Sequence, residues 1–131
     1  MKYLLLIYSN PENWEHPIFL RNPEFLAMSE SEKDALTEQS DALHREITES
    51  GELLVAAALA DPVNTRTIRV RDEVPLTTDG PYAEIKEQLA GYLLVDCENE
   101  ERAVEIATRI PDARFGAVQI QPIMDMSGQE M

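Results

Sequence analysis

Acidic, basic and phenolic side chains crowd into one short stretch, Asp79-Gly80-Pro81-Tyr82-Ala83-Glu84-Ile85-Lys86-Glu87. Asp79 at the end of a strand could act as a general base, or hold a ligand through its carboxylate. The plain alternative is a helix cap. Asp79 would accept an early backbone N–H, Gly80 would allow a tight approach, and Pro81 has its φ already set for a first turn. Tyr82 could lend a phenolic proton or fill a pocket wall. Arg69 and Arg71 fall on one strand face, and with Lys86 and Arg114 they could neutralise an anionic substrate. Solvated arginines paired with the surplus Asp and Glu are the ordinary alternative. His16 sits beside Trp14 in a segment that could close over a pocket. His16 and His44 form no ligand-spaced pair, so no metal is predicted. Cys97 follows an apolar run without a basic neighbour and reads as a buried structural thiol. No phosphate-binding glycine loop, nucleophile elbow or dinucleotide fingerprint is present, and no cofactor is predicted.

The elements that must position these residues follow from periodicity. Residues 3–8 are apolar on both alternating faces, as in a strand buried on both sides. Residues 10–25 carry Pro11, Pro17 and Pro23 among Trp14, His16, Phe19 and Phe25, so residues 10–28 read as a flap-like loop. Ser29 and Glu32 form a capping-box start, and Leu36, Leu43 and Ile47 make one stripe of a helix that ends at Gly51. Residues 53–59 are a second buried run, with Ala56, Ala57 and Ala58 small enough to admit another backbone or a ligand. Residues 65–71 alternate as a half-exposed strand, Asp72-Glu73 turns, and residues 74–78 return as the hairpin partner. Residues 92–95 form a further strand. Asn99 caps a helix carrying Ala103, Ile106, Ala107 and Ile110, and Pro111 ends it. Residues 117–123 alternate as a last strand, leaving residues 124–131 as a frayed tail.

This order is a split βαβ arrangement with a hairpin inserted before its second half, an α+β ferredoxin-like sandwich. The chain has 131 residues, 44% of them hydrophobic, which suits one domain spanning residues 1–131. Eleven basic residues against twenty-five acidic ones leave a net charge of -14. That charge repels nucleic acid and anionic membranes, so neither is an expected partner. One cysteine excludes an internal disulfide. Residues 1–8 are too short for a signal segment or a membrane span, which points to a cytoplasmic protein. Two helices cover one sheet face only, although the strand at residues 3–8 is apolar on both, so a second copy of the chain is expected on the other.

The Asp79–Glu87 stretch also resembles the DGPF motif that names a branch of the YCII-related family. The resemblance continues through Met1 to Tyr8 and through Ala113-Arg114-Phe115-Gly116-Ala117-Val118 with Pro122. It implies a ferredoxin-like fold, a homodimer of the dimeric α/β-barrel kind, and a family most of whose members lack an assigned activity. Related proteins have been considered to use an Asp and His pair. Asp79 matches the Asp of this branch, whereas Phe115 stands where many relatives carry His, and Tyr82 stands where the motif has Phe. Relatives of the branch often occur beside sigma factors of the extracytoplasmic type.

Two functions are expected from these residues. One is a small-molecule enzyme or binding protein for a small anionic or aromatic ligand. Its pocket lies between the sheet, the flap and the motif, with Asp79 as acid or base and Tyr82, Lys86, Arg69, Arg71 and His16 around the ligand. The other is a non-catalytic regulatory module linked to sigma-factor signalling.

Overall fold

Tyr3 and Leu5 alternate with Leu4 and Leu6, and strand β1 (Lys2–Ser9) uses both faces as the pattern requires. In this computed structural model, which describes residues 1–80, 87–125 and 127–128, β1 lies inside a four-stranded sheet. It pairs antiparallel with β5 (Gln88–Asp96) on one side and β6 (Ala117–Pro122) on the other. Strand β2 (Leu53–Ala58) pairs with the outer edge of β5, giving the order β2-β5-β1-β6. That order is the ferredoxin-like one. β5 begins earlier than residues 92–95, because Ala90 and Gly91 are also buried in the sheet.

Ala90 is a bulge. Ile7 pairs with Gly91 and Tyr8 with Leu89, leaving Ala90 without a partner on β1. Its carbonyl instead accepts the N–H of Leu59 at 2.9 Å, just past the end of β2.

Both long helices lie on one face of this sheet. Ser29 caps α2 (Glu30–Glu49) by accepting the N–H of Glu32, and Leu43 and Ile47 point inward. Gly51, at φ +81°, turns the chain away in the left-handed conformation. Asn99 caps α3 (Glu100–Arg109), whose Ala103 and Ile106 are fully buried. These side chains meet Tyr3, Leu5 and Val95 from the sheet in one core, which also takes in Cys97. Cys97 is free and buried, and burial pushes its thiol up, as expected of a structural cysteine. Arg102 ties the layer together, reaching Glu52 and Glu46 at 2.9 Å and Glu105 at the same distance. The Arg109 and Arg102 guanidiniums hold the Glu46 carboxyl down at about 2.

Register places Leu4, Leu6, Tyr92, Leu94, Val55 and Ala57 on the opposite face, flanked by Gln119 and Gln121. Val55 is 44% exposed there, while Leu4, Leu6, Tyr92 and Leu94 are half-buried.

The inserted hairpin pairs β3 (Arg66–Arg71) with β4 (Val74–Asp79) and forms a sheet of its own. Asp72 and Glu73 turn it with φ of 51° and 65°, the conformation whose twist matches paired strands. The alternation implied that Ile68 and Val70 face inward. They are instead 66% and 56% exposed, and Val74 and Leu76 on the other face are also open. A period of two identifies a strand but does not supply anything to cover it.

Residues 10–28 contain more order than a loop. A 3₁₀ turn at Ile18–Arg21 leads into the short helix α1 (Pro23–Leu26), capped by Asn22. Another short helix, α4 (Asp112–Phe115), follows Pro111 where the sequence pattern ended its helix. Phe25 joins the two regions. Its ring meets Phe19 and Phe115 edge to face, with centroids 5.5 and 6.1 Å away. Elements of four residues are too short to display a period, so neither was readable from spacing.

Candidate functional site

The small residues Ala56, Ala58, Ala90 and Gly91 leave room beneath α2 near the β2 edge. A cavity of about 510 Å³ opens there. Residues 16–19 wall one side, and Leu43, His44, Ile47 and Ser40 on α2 wall another. Ile110, Pro111 and Asp112 close the end nearest α4. Gly91 is required by the floor: a Cβ on it would stand 2.7 Å from the Ala57 carbonyl oxygen. Ala56, Ala57 and Ala58 thus admit both a neighbouring backbone and open space, as their size suggested.

The cavity is mostly apolar, and its polar groups are few. His16 Nε2 donates to the Leu59 carbonyl at 2.7 Å, so the ring is tethered to the chain leaving β2. The ring's other nitrogen therefore accepts a hydrogen bond when the imidazole is neutral. Asp112 is only 6% exposed, and its Oδ1 has no hydrogen-bond partner among the described residues. Burial pushes the Asp112 carboxyl up to about 6, opposed by its own backbone N–H and by the nearby His16. A carboxyl that changes charge near neutral pH is suited to proton transfer.

Asp79 lies in a different depression. It shares a shallow groove with Asn10, Trp14, Asp61 and Gln88, and its side chain is 85% exposed. Arg66, directly across the hairpin, pairs with it at 3.1 Å. Arg69 and Arg71 lie on the same face of β3, exposed to solvent, and Arg71 donates to the carbonyl of Val70. Of the predicted site residues, His16 is the one that lines the cavity under α2. Tyr82 and Lys86 lie outside the described residues, as does the expected start of a helix after Asp79.

Asp112 was missed by sequence reasoning. It follows a helix-ending proline and reads as punctuation, with no spacing to a second polar residue that would mark it. Phe115 is explained by packing, since its ring holds Phe25 and thereby the 10–28 segment. Among the described residues no group of three His, Cys, Asp or Glu could hold a metal ion. Nor is any helix among them long and apolar enough to cross a membrane.

The model of the YCII-related domain matches residues 1–127. The chain belongs to the YCII-related family. An uncharacterized protein of Rhizobium meliloti (strain 1021) is 30% identical to this YCII-related protein over 99 residues, covering 74% of this chain and 80% of that protein. The family match spans the strands, both long helices and the α4 region. The cavity is therefore built wholly from elements of the YCII-related domain.

Proposed function

We propose that this YCII-related protein holds a small organic molecule in the cavity between residues 16–19, α2 and the β2–β5 edge, with a carboxyl at its wall suited to acid–base work. The cavity itself carries the reading: about 510 Å³, mostly apolar walls, and a few polar groups among them, His16, Ser40, His44 and Asp112. The acid is Asp112, whose titration near neutral pH supports the assignment. Asp79, proposed from sequence for the same role, faces the shallow groove and separates the two sites experimentally.

The test is thermal stability against a panel of aromatic and aliphatic metabolites, with wild type, Ala58→Trp and Asp79→Ala compared. Compounds that raise the Tm of wild type are expected to lose that effect in Ala58→Trp, where the indole fills the cavity, and to keep it in Asp79→Ala. Loss of the response in Asp79→Ala alone would move the site to the groove beside Trp14.

The same reading includes a cytoplasmic homodimer of the DGPF branch. The apolar face bearing Leu4, Leu6, Tyr92 and Leu94 supports the second copy, and the single buried thiol of Cys97 suits a reducing compartment. The exposed hairpin favours a second reading, a regulatory module bound to a sigma factor. Ile68, Val70 and Leu76 there offer apolar surface to a partner.

A further inference from the structure

The cavity has an unusual combination of charge and chemistry. None of its lining residues is Lys or Arg, so a carboxylate or phosphate entering it would meet Asp112 without a permanent cation. The whole chain repeats the bias at -14. Asp112, meanwhile, has its own backbone N–H as a donor but no partner for one oxygen. Its Oδ1 is buried without a partner among the described residues, and the nearby His16 has committed its Nε2–H to Leu59. An unpartnered carboxylate oxygen in such a place is costly, and a hydrogen-bond donor brought from outside relieves that cost. The remaining walls, among them Phe19, Leu43, Ile110 and Ala58, suit hydrocarbon.

We infer that the cavity selects a small primary amine on an apolar body, with Asp112 as the specificity residue that receives the ammonium group. This rests on the small-molecule reading above and puts a cationic ligand where the sequence pointed to a small anionic or aromatic one. A flat ring with a two-carbon arm fits the volume, the ring lying among Phe19, Leu43 and Ala58 and the nitrogen reaching the α4 end. Asp112 lines the cavity, and because its Oδ1 is closed off from solvent, binding requires the side chain to turn that oxygen toward the ligand.

The probes are phenethylamine, 2-phenylethanol and 3-phenylpropionate, titrated at pH 8 into the full chain and followed through the methyl resonances of Ala56, Ala58 and Ala90. Phenethylamine is expected to bind about 10-fold or more tightly than 3-phenylpropionate, since the carboxylate brings a like charge to Asp112. In Asp112→Asn, and in Asp112→Leu as a second variant, that preference is expected to fall to within about 3-fold while 2-phenylethanol binds much as before. Equal binding of all three probes to wild type would leave the cavity a ligand site and overturn the amine assignment. A preference that survives both substitutions would overturn it as well. If no probe perturbs the cavity methyls, the small-molecule reading fails together with it.

Discussion

Asp112 shows how position alters a common side chain. In the unfolded chain its carboxyl titrates near 4, whereas burial in the fold moves it up to about 6. The folded state therefore holds the proton more tightly. Between about pH 4 and pH 6 it carries more protons than the unfolded state, so this group's contribution to stability falls as pH rises through that window and then stays constant. Asp112→Asn removes the titration while keeping the shape. The variant is expected to exceed wild type in stability at pH 7.5, by at most about 3 kcal/mol, and to match it below about pH 4. Urea unfolding at a series of pH values measures the difference. A variant less stable than wild type at pH 7.5 would show that the carboxylate is satisfied in the fold. A stability gain joined to loss of amine preference would mark Asp112 as a residue held for binding at some cost to folding.

At the scale of elements, the cavity exists because the paired strands β2 and β5 present small residues, Ala56, Ala58 and Gly91, to the face covered by α2. Gly91 sits opposite Ala58 and beneath the Ala57 carbonyl, and the Ala90 bulge turns the neighbouring backbone toward Leu59. A methyl group at Gly91 meets a backbone oxygen, which cannot rotate aside as a side chain could. Gly91→Ala is expected to cost about 1–3 kcal/mol and to lower the Tm by several degrees, with faster amide exchange concentrated in β2. Uniform loss of protection across β1, β5 and β6 would argue against a local clash. The 10–28 segment covers the cavity from the other side. Phe19 and Phe25 are buried and linked to Phe115, so this part of the covering is pinned by rings while His16 near its start is tethered through one hydrogen bond.

For the whole molecule, the sheet has one face spent on α2 and α3 and another still apolar. Leu4, Leu6, Tyr92 and Leu94 adjoin Val55 in a patch whose exposed remainder favours a second copy. Wild type is expected to sediment as a dimer at about 50 µM, within the range of ordinary protein association. Leu6→Glu, which places a charge in the centre of the patch, is expected to yield a folded monomer with an unchanged far-UV spectrum. A monomeric wild type at that concentration would sink the dimer proposal, leaving the cavity untouched because it lies on the helix side.

Sequence alone determined the ferredoxin-like order of strands and helices. Runs such as residues 3–8 and the stripe Leu36, Leu43 and Ile47 encode period and burial locally, while Ser29, Gly51 and Asn99 encode ends through their own backbone chemistry. It also marked His16 and the small alanines, because an aromatic loop and a run without bulky side chains are visible in one dimension. Tertiary structure decided which residues share a space. Asp79 and His16 looked like members of one pocket, yet one faces a solvent groove and the other a cavity. Asp112 became chemically distinctive only when β1, α4 and the 10–28 segment closed around it, since desolvation depends on everything that surrounds a carboxyl and not on its neighbours in sequence.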